Sequence, residues 1–162
     1  MTEAIPPFWV GLDEKLDCQD PDAFRLLEYW QSKRSGDLLP GRKDVSPFEL
    51  KSLLGNVVLI DVERKPLRLR YRLLGTNITR AMGRDSTGKY YDEIYSPELL
   101  SEILKSFQWI IENRQPLRTY GEAFYPDKNF YKYEALNLPL ASDGENVDMI
   151  LAGLYFHPVS KR

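Results

Sequence analysis

Asn56–Leu74 reads NVVLIDVERKPLRLRYRLL, and this stretch decides the class of fold. Asn56–Glu63 is β-branched and apolar, Arg64-Lys65-Pro66 makes a turn, and Leu67–Leu74 alternates. Successive side chains of a strand point to opposite faces. The alternation therefore predicts Leu67, Leu69, Tyr71 and Leu73 on one face and Arg68, Arg70 and Arg72 on the other. Two strands joined in this way form an antiparallel hairpin with one buried face. Asp61 and Glu63, on the first strand, stand ready as cross-strand partners for the arginines.

Downstream, Gly75-Thr76 ends the second strand, and short helical pieces and turns fill Asn77–Tyr95, punctuated by Gly83 and Gly88. Ser96-Pro97-Glu98 opens a longer helix to about Asn113: a side-chain cap, proline in the first turn and an acid at the positive end. Leu100, Ile103, Leu104, Phe107 and Ile111 recur at helical spacing, and Pro116 stops the run. Three strands follow, Leu117–Phe124, Phe130–Leu138 and Val147–Phe156, the last two linked through an Asp143-Gly144 turn.

Upstream, residues 1–20 are punctuated by Pro6 and Pro7 and read as a loose arm carrying Cys18. Asp20-Pro21-Asp22 starts a helix to about Ser35, with Phe24, Leu27 and Trp30 on its apolar face and Gly36 as its stop. A connector and a short turn, Ser46 to Leu54, lead back to the hairpin. The organisation is a 1–20 arm, a 21–55 helix and connector, and a 56–157 core. Its class is α+β, with an antiparallel sheet of about five strands.

The chain has 162 residues, 22 Lys+Arg against 24 Asp+Glu, a net charge of −2, one Cys and one His. A net-acidic chain lacks the bulk attraction that drives non-specific nucleic-acid binding. One Cys and one His cannot build a disulfide framework, a multi-thiolate zinc site or a His-rich metal centre. No apolar run reaches the roughly eighteen residues a membrane helix needs. The expected setting is cytoplasmic.

Gly83–Lys89, GRDSTGK, fits the opening of a phosphate-binding loop, but Tyr90 follows where a magnesium-binding Ser or Thr is required. The segment reads instead as a double turn permitted by its glycines, with Asp85 or Thr87 bonding nearby amides. No nucleophile, base and orienting group form a catalytic trio, and no enzyme is expected.

Gly75–Glu98, GTNITRAMGRDSTGKYYDEIYSPE, carries a resemblance. Asn77 opening a short helix, Gly83 closing it, Gly88 before a hydrophobic turn and Ser96-Pro97-Glu98 starting the long helix resemble a PAS domain. Tyr29-Trp30, Leu39-Pro40, Arg42, Asp44 and the strand LRLRYRLLGT are similar to the compact single-PAS proteins of alphaproteobacteria. The resemblance covers about Phe24–Phe156. It implies a five-stranded sheet with helices on one face around a pocket, and a sensory or interaction role in signal transduction. Any output domain is expected to be a separate protein.

If the arginines face outward, Tyr71 and Leu73 face the helices. Ile78, Met82, Tyr91 and Phe107 join them, with Thr76, Asn77 and Arg80 as polar anchors for a small-molecule ligand. The alternative is the same space filled by side chains. No cofactor is assigned. Haem would need a His beside the pocket, and a covalent flavin adduct a Cys within it; His157 and Cys18 lie elsewhere in the order of elements.

The last strand is apolar on both faces from Met149, which requires a cover on each side. The N-terminal helix supplies one, either within its own chain or, through Phe24, Leu27 and Trp30, at a homodimer contact. On the dimer reading Trp30→Glu gives a folded monomer. A sensor or adaptor contacting a signalling protein is the expected function. The alternatives are a small-molecule-processing enzyme in the same cavity and nucleic-acid binding through Arg68, Arg70 and Arg72.

Overall fold

Over residues 10–124 and 130–158, which the computed structural model describes, the chain runs as alternating strands and helices. These are β1 (Gly11–Asp13), α1 (Pro21–Ser32), β2 (Val57–Glu63), β3 (Arg68–Leu74), α2 (Thr76–Met82), α3 (Tyr91–Ile94), α4 (Pro97–Asn113), β4 (Leu117–Phe124), β5 (Phe130–Leu140) and β6 (Met149–Pro158). The strands form one sheet in the order β1-β4-β5-β6-β2-β3, with every neighbouring pair antiparallel. The sixth strand comes from the arm expected to be loose: Gly11 pairs with Tyr120 and Asp13 with Arg118.

The β2–β3 hairpin forms as the alternation predicts up to Tyr71, which faces Ile60. There the register shifts, Leu59 faces Leu73, and Arg72 is the extra residue of a bulge. Directly paired residues share a face, so the bulge moves Leu73 to the side opposite Tyr71. The expected common face of Leu69, Tyr71 and Leu73 therefore ends at Tyr71. Arg70 pairs with Asp61 at 2.8 Å, and Arg72 approaches the same carboxylate at 3.7 Å. Arg68 turns to Asp92 at 2.7 Å and lies over the Tyr90 ring, whose hydroxyl donates to Glu63 at 2.8 Å.

The face opposite Tyr71, here the outer face, is covered by α1. Asp20 caps this helix by accepting from the Asp22 amide, and Pro21 occupies the first turn. Its buried residues are Ala23, Leu26 and Trp30. Leu26 lies over Gly153 of β6, and Trp30 Nε1 donates to the Pro139 carbonyl at 2.9 Å. Phe24 is 49 % exposed and Leu27 half-buried, so the helix is rotated from the face first assigned to it. Trp30, expected at a dimer contact, is a core residue of its own chain.

Glu134, only 3 % exposed, fastens the start of α1 to the sheet. Its carboxylate accepts from the Gln19 amide at 2.9 Å, the Asp20 amide at 2.8 Å and Arg118 Nε at 2.7 Å. Arg118 also reaches Asp13 at 3.3 Å. Burial works to raise the Asp13 pKa, but amide bonds from Asp17 and Lys15 and the charge of Arg118 prevail and hold it below the usual carboxylate value. Cys18, expected outside the core, is buried beside these groups; burial first, then Glu134, pushes its thiol up to about 11.

Gly83–Lys89 is a turn run as expected: Gly83 ends α2 at φ 76°, and Asp85 Oδ1 accepts from the Thr87 amide at 3.0 Å. The segment returns along the free edge of β3, where the Gly88 amide donates to the Tyr71 carbonyl. At Asp143-Gly144 the Asp143 carboxylate accepts from the Asn146 and Glu145 amides, which hold its pKa at about 2. Among the described residues no helix is long and apolar enough to cross a membrane.

Trp30→Ala is expected to cost about 3–5 kcal/mol, because it empties a core site and orphans a carbonyl. Urea denaturation measures this. Trp30→Glu is expected to abolish the native near-ultraviolet circular dichroism spectrum. A folded monomeric variant would contradict the burial of this side chain.

Candidate functional site

The inner face of the sheet follows from the register. Tyr71, Ile60, Ala152, Asn137, Ala135 and Thr119 share it through successive direct pairs or two-residue steps along one strand. Helices α2, α3 and α4 lie over this face. α2 is placed by a close crossing: a Cβ on Gly75 would stand 2.3 Å from the Leu54 carbonyl oxygen, so only glycine fits. Ile78 and Met82, four residues apart, then point into the core.

An aromatic cluster joins the layers. The Tyr71 ring lies 4.4 Å from Tyr91, which meets Tyr95 at 5.4 Å and Phe107 of α4 at 6.2 Å, both edge-on. The Tyr71 and Tyr95 hydroxyls are hydrogen-bonded at 2.5 Å. Burial pushes the Tyr71 and Tyr91 phenols well above their ordinary value; Tyr91 and Tyr95 add to the effect at Tyr71, whereas at Tyr91 Tyr95 adds to it and the Tyr71 hydrogen bond opposes it. Burial also raises Tyr95, against the Tyr71 bond and the Arg84 charge. Tyr133 is pushed up to about 12 by burial and by Tyr95.

The predicted site residues divide. Tyr71, Ile78, Met82, Tyr91 and Phe107 are brought together in the core. Leu73 is turned to the outer face by the bulge. Thr76, Asn77 and Arg80 are exposed and cannot anchor a buried ligand; Asn77 Nδ2 donates to Asn56 Oδ1 at 2.9 Å, and Arg80 leans on Asn77. These residues lie in the first turns of α2, and its buried stripe passes through Ile78 instead.

The sequence reading missed Tyr95, Tyr133, Thr119, Asn137 and Ser86. Tyr95 follows Tyr91 at a helical step of four, and Tyr133, Ala135 and Asn137 follow the period of a strand, so both signals were present. Asn137 Nδ2 donates to the Leu117 carbonyl at 3.0 Å and to Thr119 Oγ1 at 3.1 Å, placing two buried polar side chains on the inner face. Ser86 is fully buried, and its Oγ has no hydrogen-bond partner among the described residues. α4 buries Ser106, Phe107 and Ile110, and its half-buried Leu100, Ile103, Leu104 and Ile111 pack against the same core. Beside α4 an open groove of about 570 Å³ runs between Leu100 and Leu104 on one wall and Pro66 and Leu67 on the other.

A sheet wrapped by an N-terminal helix on one face and three helices on the other, around an aromatic inner layer, defines a PAS-type sensory fold. The sequence profile of the PAS domain family matches residues 19–155, and the chain belongs to that family. Solved structures agree on the fold. An RNA-binding light-oxygen-voltage receptor superposes with a TM-score of 0.54 at 14% identity, over 94% of this chain and 40% of that one. A light-oxygen-voltage domain studied with a flavin analogue gives 0.51 at 14% identity, over 70% of this chain and 84% of that one. The chain thus spans less than half of the RNA-binding receptor. No curated protein matches the sequence.

Raised phenol pKa values mean that the folded state holds these protons. The associated stability is complete below the ordinary tyrosine pKa, about 10, and is lost as pH rises above it. Absorbance at 295 nm is expected to show fewer than the ten tyrosines ionising before the chain unfolds in alkali. Reversible ionisation of all ten in folded protein would contradict the buried cluster.

Proposed function

We propose that the chain is a cytoplasmic PAS regulatory module that turns a change in its inner layer into altered protein contact, without catalysis. One observation carries the reading: the Tyr71 ring of the sheet packs on Tyr91 of α3, and Tyr91 in turn meets Tyr95 and, on α4, Phe107. A ligand that parts these rings displaces α4, which meets the cluster through Phe107. Such a ligand biases the structure only by binding the two arrangements unequally.

The perturbed groups of the inner layer are tyrosines with raised pKa values. These hold their protons at neutral pH, which suits positioning and not base catalysis. One solved relative was studied with a flavin analogue, and a flavin is one ligand whose rings could stack in this layer. A covalent cysteinyl adduct is a different matter. The sequence holds one thiol, Cys18, and it sits against Glu134 and Arg118 on the outer face. The input is therefore a non-covalently held molecule or a protein contact, and His157, exposed at the end of β6, is not directed at the cluster as a haem ligand.

The output surface includes a homodimer contact on the flank of α1. Phe24 and Leu27 remain available there, whereas Trp30 does not. Phe24→Glu is expected to halve the mass seen by light scattering while leaving the circular dichroism spectrum unchanged. A wild-type monomer, or a variant that stays dimeric, would reject this contact.

Mass spectrometry of the purified protein, native against denatured and with an absorbance spectrum alongside, tests the input. A bound organic mass that is lost on denaturation, and lost in Tyr71→Ala, supports a ligand held by the cluster. A bound mass indifferent to Tyr71→Ala would overturn that role for the rings.

A further inference from the structure

Arg34 and Arg114 come from opposite layers of the molecule and meet at one carbonyl. Arg34 follows α1 on the outer side, and Arg114 closes α4 on the inner side. Each donates an Nη2 hydrogen to the Asp37 oxygen, at 3.3 Å and 3.2 Å, and Arg114 also reaches the Gly144 oxygen at 3.2 Å. Two nitrogens sharing one acceptor can be no further apart than those two bonds laid end to end, so two positive charges are held side by side.

Among the described residues neither arginine forms an ion pair, and the Nε atom of each is buried without a hydrogen-bond partner. Glu112, two residues before Arg114, is exposed and accepts from Gln108 Nε2 at 2.9 Å, and the carboxylates beside the accepting carbonyls do not help either. Asp37 and Glu145 are exposed and pair with neither arginine, and Asp143 is occupied by the amides of Glu145 and Asn146. A helix C-terminus favours a nearby cation, which accounts for one arginine at each helix end. It does not account for both converging on a single neutral oxygen. Arg34 is held in place by the Trp30 ring, 5.0 Å beneath its guanidinium, so it is not free to swing away. Both side chains are half-exposed and can be approached from solvent.

We infer that this junction is a binding site for a phosphate-type oxyanion, independent of the inner layer. Two guanidinium forks present more donors than one carboxylate can accept, and two adjacent positive charges match a dianion with several equivalent oxygens. Inorganic phosphate and the phosphate of a small phosphorylated metabolite share this chemistry.

The test is a titration of the full chain at neutral pH with sodium phosphate, followed by the arginine Nε–Hε signals in nitrogen-15 correlation spectra. Sodium chloride at matched ionic strength is the reference. The Arg34 and Arg114 signals are expected to shift together and saturate with a single dissociation constant. Arg34→Gln and Arg114→Gln are each expected to weaken binding at least about tenfold. Arg34→Gln stands alone if Arg114→Gln disturbs the fold, which circular dichroism reports. Shifts no larger than those in chloride, or equal affinity in folded Arg34→Gln, would overturn the site. Glycerol phosphate separates the sources: tighter binding than phosphate points to a metabolite, and weaker binding to the free anion.

Discussion

The buried Glu134 carboxylate sets the condition that the outer half of the molecule must meet. A charge removed from water needs charged or hydrogen-bonding partners at close range, and Glu134 finds them in Arg118 and the amides of Gln19 and Asp20. Those amides belong to the residues that start α1, so meeting the need of one side chain also fixes where the helix begins. Asp20 is then placed to cap it, and Ala23, Leu26 and Trp30 fall onto the sheet. Arg118 extends the arrangement to Asp13, which ties in the edge strand β1.

The inner half follows a different rule. It is held largely by rings and aliphatic side chains, with the Tyr71–Tyr95 hydroxyl pair and the Asn137 bonds to Leu117 and Thr119 as its directional contacts. Ring contacts tolerate small rearrangement better than a buried ion pair does, because no charge is orphaned when they slide. Phe107 carries the ring contacts to α4, whose Leu100, Leu104 and Ile111 lie half-buried against the core. The start of α1 is thus anchored to the sheet by electrostatics, and the inner layer is held mainly by packing.

The two layers also meet beyond the sheet. Asp37 lies in the connector after α1, Gly144 in the β5–β6 loop, and Arg114 at the end of α4 bonds to the carbonyls of both. Arg34, just after α1, donates to the same Asp37 carbonyl.

Much of this architecture was legible in the sequence. The period of two in LRLRYRLL placed β3 and the Arg70–Asp61 pair. The caps at Asp20 and Ser96 placed the starts of α1 and α4, and Asp143-Gly144 placed the last turn, because each of these signals acts over a few residues. The motifs from Asn77 to Glu98 carried the family, and Tyr71, Ile78, Met82, Tyr91 and Phe107 were assigned to one buried layer. Other features depend on distant partners. The bulge that turns Leu73 outward arises where β3 must match β2. Burial of Trp30 in place of Phe24 needs Pro139, and burial of Cys18 and ordering of β1 need Glu134 and Arg118, more than a hundred residues further along the chain. The local chain determined which segments are helix and strand, since caps and periodicity are short-range. Only the tertiary structure decided which face of each is covered, since a face is buried by whatever is brought against it.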